Sequence, residues 1–159
     1  MDLAFVTGHV PDLLTNLEGR RPLVRHNDTI AFAFRDLEDQ TEYGSQPLPS
    51  EIRAFDLTDV RRVGVEAAAR AAVDHLTRGG IEGFFVHLDA DCLDDAIMPA
   101  VDHRIPDGLS WQELEAALRI AIASGKAVGL EVAIYNPALD NDGAAGRGLA
   151  SCVARALAS

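Results

Sequence analysis

Apolar segments of strand length alternate along this chain with stretches of helical periodicity. The predicted strands cover residues 3–7, 29–35, 52–55, 83–88 and 127–134. Between the third and fourth of these, apolar residues recur at helical spacing from Val65 to Leu76. Such alternation is typical of a parallel sheet with helices on both faces. We therefore predict an α/β fold of three layers, α/β/α, with a mainly parallel sheet.

Capping residues and glycines mark where the predicted helices begin and end. The predicted helices run over residues 12–17, from Thr58 to Gly79, from Ser110 to Gly125 and over 144–158. Thr58 is the predicted N-cap of the second helix. Ser110 and Glu113 have the spacing of a capping box, in which each side chain accepts the main-chain N–H of the other residue. Two stretches, 38–50 and 92–109, match no regular element, and long loops such as the second often carry functional sites.

The length of the chain limits how many domains it can form. With 159 residues, of which 48% are hydrophobic and 25% charged, it is long enough for one domain with its own core. We predict a single domain over residues 1–159. Its first predicted strand starts at residue 3, which leaves no preceding helix to cover that part of the sheet. We therefore expect the amino-terminal side of the fold to be cut short.

The charge of the chain limits its partners. It carries 25 acidic and 14 basic residues, for a net charge of -11. A surface of this charge repels nucleic acid and anionic membranes and attracts cations. Cys92 and Cys152 show no Cys-x-x-Cys spacing, and the sequence has neither a signal-peptide pattern nor an apolar run of membrane-spanning length. We expect a cytoplasmic protein with reduced thiols that binds neither nucleic acid nor membranes.

The fourth predicted strand ends in a cluster of acidic residues. Alternate residues of a strand share a face, so His87, Asp89 and Asp91 project together. Neighbouring carboxylates repel each other unless they are protonated, hydrogen-bonded or neutralised, and a divalent cation neutralises them. Asp89 and Asp91 are therefore candidate metal ligands. The alternative is that they accept main-chain N–H groups of the loop or of the next helix, as we expect of Asp94 and Asp95.

Five landmarks follow one another through the second half of the chain. They are His87-Leu-Asp-Ala-Asp-Cys-Leu-Asp-Asp95, Met98-Pro99, Gly108-Leu109-Ser110 at a helix start, Gly129-Leu130-Glu131 and Asn136-Pro137. In order and spacing they resemble the carboxy-terminal half of the arginase, agmatinase and formiminoglutamase family of ureohydrolases. The resemblance covers most of the chain and implies that Met1 corresponds to an internal position of a longer ancestor.

The resemblance implies a truncated arginase-like fold and a metal-dependent enzyme. Members of the family hydrolyse a linear guanidino or amidino carbon–nitrogen bond at a pair of Mn²⁺ ions, so the implied substrate is a small cationic guanidino or amidino compound. By the same resemblance, Asp89 bridges the two ions and Asp91 binds one of them. A guanidinium carbon is a poor electrophile, and two cations about 3.5–4 Å apart lower the pKa of a shared water enough to provide hydroxide at neutral pH.

Several parts of the family pattern are absent or replaced. The Gly-Gly-Asp-His and Asp-Ala-His-x-Asp segments, which supply the remaining metal ligands in the family, do not occur in this sequence. We therefore assign no catalytic residue and expect the chain alone to be inactive or incomplete. The family glutamate that holds the substrate guanidinium is matched here by Ile134, which makes no charge-assisted hydrogen bond. Bulky polar residues 102–104 replace a loop of small residues, so we expect a changed substrate preference.

Four further residues are candidates for supporting the metals or contacting the substrate. They are His87, His103, Glu131 and Asp94. His87 shares a strand face with the two carboxylates, although a lone histidine on a strand is more often a core residue. His103 lies in the long loop, within reach of a substrate. Glu131 matches an acidic position of the family near the site, and a buried charge on its apolar strand would require partners.

Other functions also fit parts of the sequence. The first alternative is a degenerate, non-catalytic member of the family that acts through oligomerisation or partner binding. A missing amino-terminal layer would expose a sheet edge and an apolar face, so we expect a homo-oligomer. The second alternative is a haloacid-dehalogenase-like phosphatase with Asp89 as nucleophile and Asp91 as acid, although Cys92-Leu93 replace the threonine and glycine of that family. A Rossmann-type nucleotide binder is disfavoured because no Gly-x-Gly-x-x-Gly turn follows a strand.

Overall fold

Strands and helices alternate through most of the molecule. The computed structural model describes residues 2–158, apart from the side chains of residues 2 and 38–40. The strands are β1 (Ile30–Phe34), β2 (Arg53–Asp56), β3 (Phe84–Asp89) and β4 (Ala127–Ala133). The α-helices are α1 (Asp2–Val6), α2 (Asp12–Thr15), α3 (Leu37–Glu42), α4 (Leu57–Val63), α5 (Val65–Arg78), α6 (Trp111–Ala123) and α7 (Ala144–Leu157). Met1 and Ser159, the ends of the predicted domain, lie outside the described residues.

Four of the five predicted strands are confirmed to within one residue at each end. The prediction of a strand over residues 3–7 is wrong, because Asp2–Val6 form α1. There the Thr7 N–H and hydroxyl donate to the Leu3 carbonyl oxygen at 3.0 and 2.6 Å, which closes a helical turn. A short apolar run fits a strand or a helix equally well, and here the local hydrogen bonds favour the helix. The first element is therefore a helix, and the expected strand without a covering helix is not found there.

The strands pair in parallel, as predicted, but in the described part of the chain they form two separate ladders. β1 pairs with β2, and β3 pairs with β4. Phe55 of β2 and Leu88 of β3 nevertheless belong to one hydrophobic core. In the second ladder Asp89 is in register with Ala133. Because parallel strands end at the same edge of a sheet, the residues that follow β3 and β4 are neighbours.

β1 contains a bulge at Ala33. This residue lies between Phe32 and Phe34, which are both paired with β2, and it has no partner in register. Its φ is +59°, in the left-handed region, and its side chain is 1% exposed. An L-residue in this conformation is strained, and a bulge redirects the chain that follows it. The bulge therefore sets the direction in which the chain leaves β1 toward Arg35.

Helix α4 begins at a different residue from the predicted one. Asp56 is its N-cap instead of Thr58, because the Asp56 carboxylate accepts the Asp59 N–H at 2.7 Å. Gly64, with a φ of +88°, separates α4 from α5, so the predicted single helix is divided in two. The start of the stretch 38–50, which was predicted to be irregular, belongs to α3.

The capping box predicted at the start of α6 is confirmed. Ser110 Oγ accepts the Glu113 N–H at 3.2 Å, and Glu113 Oε2 accepts the Ser110 N–H at 2.8 Å. The predicted helices over 12–17 and 144–158 are present as α2 and α7, the first of them shorter than predicted. Among the helices of residues 2–158, none combines the length and apolar character that crossing a membrane requires.

One hydrophobic core joins the two ladders to helices α4 to α7. The stretch 92–109 is irregular, as predicted, apart from the 3-10 turn at its start. Several of its side chains are nevertheless fully buried, namely those of Leu93, Met98, Ala100, Val101 and Leu109. This long loop is therefore part of the core, and packing fixes its position next to the end of β3.

Candidate functional site

Asp89 and Asp91 lie together at the carboxyl end of β3. Asp89 is the last residue of the strand, and the 3-10 turn Ala90–Cys92 follows at once. The two carboxyl groups are close enough to share a hydrogen bond when one of them is protonated. The structure thus brings together the two side chains that the sequence predicted as metal ligands, and their role as ligands stays a prediction.

The surroundings of this carboxylate pair disfavour its full negative charge. Burial, then the negative charge of Asp89 and the hydrogen bond to it, raise the pKa of Asp91 to about 6. Arg35 and His103 oppose this rise in the pKa of Asp91 with smaller effects. Asp89 Oδ1 is the one buried side-chain oxygen or nitrogen in the described part of the chain without a hydrogen-bond partner. A buried carboxylate oxygen without a partner is strongly unfavourable, so this position suits a cation.

The carboxylate pair is not part of a larger cluster of metal-binding side chains among the described residues. Over residues 2–158, no group of three or more His, Cys, Asp or Glu side chains is arranged to hold a metal ion. Burial, with the charges of Asp89 and Asp91, raises the pKa of the Cys92 thiol to about 12, so the free thiol stays protonated at neutral pH. Both cysteines are free. The groups available to a cation are therefore the oxygens of two carboxylates.

The long loop brings His103 back to the neighbourhood of Asp91. Arg35 binds the carbonyl oxygens of Ile105 and Pro106, just after His103, as well as that of Asp91, so this part of the loop returns toward the carboxylates. His103 itself is exposed. The next residue, Arg104, donates to the Asp95 carboxylate at 3.2 Å. His103 is thus an exposed imidazole in a loop that returns toward the carboxylates, and its candidate role in contacting a substrate stays a prediction.

His87 and Glu131 pair with each other across β3 and β4. His87 Nδ1 and Glu131 Oε1 are 2.7 Å apart, and the two residues are in register. Their side chains are 39% and 57% exposed. Glu131 is thus exposed, because this face of the two-stranded ladder is open to solvent, and its candidate role near the site stays a prediction. The contact with Glu131 does not test whether His87 supports the metal ligands, so that candidate role stays a prediction.

Asp94 holds the two ends of the long loop together. Its Oδ1 accepts the Ala96 N–H at 3.0 Å and its Oδ2 accepts the Gly108 N–H at 3.2 Å. The approach at Gly108 is close, because a Cβ atom there would lie 2.3 Å from the Leu93 carbonyl carbon. Both carboxylate oxygens of Asp94 are thus bonded to main-chain groups, which is the structural arrangement weighed in the sequence analysis.

Ile134 follows the last residue of β4, next to the register partner of Asp89. Its φ is +67°, and its side chain is 42% exposed. A β-branched residue in the left-handed region is a conformational outlier, and such strain is concentrated at functional sites. The position matched to the guanidinium-binding glutamate of the family thus lies at the same edge of the ladder as the carboxylate pair.

Arg35 is the residue near the site that sequence reasoning missed. It follows β1 directly and donates four hydrogen bonds to main-chain carbonyl oxygens of the long loop. The acceptors are Asp91 at 2.9 Å, Leu93 at 3.1 Å, Ile105 at 2.5 Å and Pro106 at 3.1 Å. The available signal was an arginine as the last residue of the predicted strand over 29–35, at the same sheet edge as the acidic cluster.

An open cavity of about 450 Å³ lies elsewhere, around the segment that follows α1. The rings of His9 and His26 contact each other there, with their centroids 4.7 Å apart and their planes tilted by 44°. Two arginines also line it, but Arg21 is paired with Asp12, and Arg25 with Asp28. The charges of these arginines are thus already neutralised, so this cavity does not compete with the carboxylate pair as the candidate site.

Comparison with known proteins identifies the family. The arginase family model matches residues 19–159. The chain belongs to the arginase family. This family membership confirms the resemblance drawn from the landmarks around Asp89, Ser110 and Glu131.

Several arginases are similar to this arginase-family chain over most of its length. The arginase of Staphylococcus aureus strain MRSA252 is 23% identical over 144 residues, which are 89% of this chain and 46% of that protein. The arginase of Bacillus subtilis is 25% identical over 148 residues, or 92% of this chain and 48% of that protein. The chain thus spans about half the length of the curated relatives it matches.

A solved arginase structure shares the fold. The structure of Bacillus caldovelox arginase matches 100% of this chain and 52% of its own, with a TM-score of 0.83 and 20% identity. The predicted α/β fold, a truncated arginase-like architecture with parallel strands, is therefore confirmed.

Proposed function

We propose that this chain supplies the carboxylate side of a Mn²⁺ site in a ureohydrolase, and that a polypeptide segment outside the chain supplies the remaining ligands. The observation that carries the proposal is the buried Asp89 Oδ1, which has no partner although it lies beside Asp91. Membership of the arginase family supports the class of reaction. The length of the relatives, about twice that of the matched region, supports a segment elsewhere.

The donor groups fit the proposed metal in type but not in number. Carboxylate oxygens are hard ligands of the kind that Mn²⁺ binds. Asp89 and Asp91 would hold the metal, and the low-dielectric surroundings that raise the pKa of Asp91 would strengthen its attraction to a cation. Two side chains leave most coordination positions of the ion open. The proposed site therefore depends on ligands from a second source.

When bound, the metal pair supplies hydroxide at neutral pH for attack on a guanidino or amidino carbon. Asp89 and Asp91 would hold the positive charge of these ions at the end of β3. His103, exposed in the loop that follows them, would be a candidate to donate or accept a proton at a ring nitrogen. Ile134 offers the substrate an apolar surface, so other residues must hold the cationic group of a small guanidino or amidino substrate.

A second candidate function is binding without catalysis, as a degenerate member of the family. It is favoured by the lack of a third metal ligand beside the carboxylates among the described residues. Large apolar side chains also lie exposed on the second ladder, with Phe85 at 58% and Val128 at 74%. Such a surface suits association with a second copy or another chain.

The free thiols agree with the proposed cytoplasmic location, which stays a prediction.

The phosphatase alternative loses its support. It depended on reading Asp89 and Asp91 as a nucleophile and an acid, and the same pair lies in a chain that belongs to the arginase family. Mg²⁺-dependent hydrolysis of p-nitrophenyl phosphate by this protein would restore the phosphatase alternative.

The deciding experiment is a titration of the ¹⁵N-labelled chain with Mn²⁺. Binding is monitored through the paramagnetic broadening of amide signals. Broadening reports even weak binding, which two carboxylates are expected to give. We expect it to be centred on residues 88–92 and to disappear in the double variant Asp89→Asn, Asp91→Asn. The double variant Asp74→Asn, Glu82→Gln, at two exposed positions, is the matched control for the loss of two negative charges. Uniform weak broadening, equal in all three proteins, would contradict the proposed metal site.

A second measurement separates the catalytic proposal from binding alone. Urea release from arginine and agmatine is followed after adding, as a separate polypeptide, the part of Bacillus subtilis arginase that the chain does not match. Mn²⁺-dependent urea release that requires Asp89 supports the enzyme. Localised Mn²⁺ binding is not expected of the degenerate protein, which should instead gain mass with concentration in analytical ultracentrifugation.

A further inference from the structure

The contacts of Arg35 form a clamp across the long loop after β3. Two of its acceptors, the carbonyl oxygens of Asp91 and Leu93, belong to the beginning of the loop. The other two, those of Ile105 and Pro106, belong to its end. We call the segment from Asp91 to Leu93 the first arm of the loop, and Ile105 with Pro106 the second arm. One guanidinium joins the two arms, and His103 lies just before the second.

The clamp also connects the two ladders. Arg35 follows β1, whereas the carbonyl groups it binds follow β3, and no backbone ladder joins these strands among the described residues. The bulge at Ala33 determines how the chain leaves β1 just before Arg35. The alanine at the bulge is buried and has a strained, positive φ. Bulges of this kind are common beside active sites, where they redirect a side chain.

The contacts leave the proposed metal ligands available. Arg35 binds the main-chain oxygen of Asp91 and, in these four bonds, uses no carboxylate oxygen. It therefore fixes the backbone from which the Asp91 side chain projects while that side chain stays open to a cation. An ion pair with the Asp91 carboxylate would instead compete with the metal.

We infer that Arg35 is a positioning residue for the proposed metal site, which holds Asp91 and His103 beside Asp89 by fastening both arms of the loop to β1. This inference rests on the proposed function, because it gives Arg35 a purpose only if the carboxylates bind a metal. Arginine is required because its planar fork carries five N–H donors in fixed directions, enough to reach carbonyl groups on two arms. A lysine in its place keeps the charge, but its single ammonium cannot span both arms.

The test compares the full-length Arg35→Lys variant with the wild-type chain and with Arg70→Lys. Arg70 is an exposed residue of α5 that pairs with Glu66, so it controls for the chemical change. Mn²⁺ affinity is measured from the broadening of the amide signals of residues 88–92. The temperature is kept well below the unfolding midpoint of each protein. We expect Arg35→Lys to weaken Mn²⁺ binding about 10- to 100-fold and to speed amide exchange in residues 91–106. Arg70→Lys should change neither.

These readouts separate positioning from a purely structural role. A residue that only stabilises the fold would lower the thermal midpoint and leave the Mn²⁺ affinity of the folded protein unchanged, and that result would overturn the inference. If the wild-type chain shows no localised binding at Asp89 and Asp91, the proposed function fails and this inference fails with it. Localised wild-type binding with unchanged affinity in Arg35→Lys removes the Arg35 inference alone.

One further measurement needs no variant, in case Arg35→Lys does not fold. The Nε–H of Arg35 donates to the Pro106 carbonyl oxygen at 3.1 Å. In the wild-type chain its NMR signal should exchange with water more slowly than that of Arg70. Equally fast exchange of the two signals would show that the clamp is open in solution and would refute it.

Discussion

Replacing Asp91 with asparagine should stabilise the metal-free protein at neutral pH. Asparagine keeps the size of the side chain and one acceptor oxygen, but it removes the charge that faces Asp89. The amide group also supplies an N–H donor for the neighbouring carboxylate. Because Asp91 is held next to a like charge and partly out of water, its ionised form destabilises the folded state.

The size of this effect follows from the pKa of Asp91, which is raised from 3.8 to about 6. A rise of about two units corresponds to about 3 kcal/mol for a group fully withdrawn from water. Asp91 is only half-buried, so solvent screening reduces the effect, and we expect about 1 kcal/mol. For a domain of this length, that is a rise of about 2–4 °C in the midpoint of thermal unfolding.

The effect should depend on pH in one direction. Since the pKa of Asp91 is higher in the folded state, binding of a proton stabilises the wild-type fold fully below pH 3.8, and this stabilisation is lost as pH rises through 6. The Asp91→Asn variant should therefore gain stability relative to the wild type at about pH 7.5 and match it at about pH 4.

The assay is thermal unfolding followed by circular dichroism, with EDTA present, at both pH values. Asp74→Asn, at an exposed position of α5, corrects for the smaller net charge. Adding Mn²⁺ should raise the midpoint of the wild type and not that of Asp91→Asn, because a ligand stabilises the form that binds it. If the Asp91→Asn variant is no more stable than Asp74→Asn at neutral pH, the reasoning that the negative charges of Asp89 and Asp91 repel each other in the folded state is refuted.

Three other substitutions and one control substitution test local features by thermal and urea unfolding. Ser110→Ala removes the N-cap of α6 and should lower the free energy of unfolding by about 1 kcal/mol, so an unchanged value would count against the capping box. Gly108→Ala should lower it by several kcal/mol or prevent folding, because the new Cβ would lie 2.3 Å from the Leu93 carbonyl carbon. Gly79→Ala, whose nearest contact would be 3.9 Å away, should be tolerated, and equal losses at both glycines would contradict the close approach. Ile134→Gly should raise the free energy of unfolding by up to about 1 kcal/mol by relieving the positive φ, whereas a clear loss would show that contacts of the isoleucine outweigh its strain.

The sequence by itself determined the features that depend on contacts between near neighbours in the chain. The capping box of Ser110 and Glu113 joins residues three positions apart, so its spacing was enough to predict it. The strand that ends at Asp89 was predictable because an apolar run ends abruptly in acidic residues. The order of such local patterns was also enough to indicate the arginase family.

The tertiary structure alone decided which distant residues meet. Arg35 binds the Asp91 carbonyl oxygen across 56 positions of sequence, and His87 binds Glu131 across 44. No local spacing encodes such pairs, because they depend on how strands are ordered and on how a bulge turns the chain. Helix α1 was missed for a related reason, since its short apolar run fits two backbone conformations equally well. The stability of either conformation depends on packing and hydrogen bonds that form only when the chain folds.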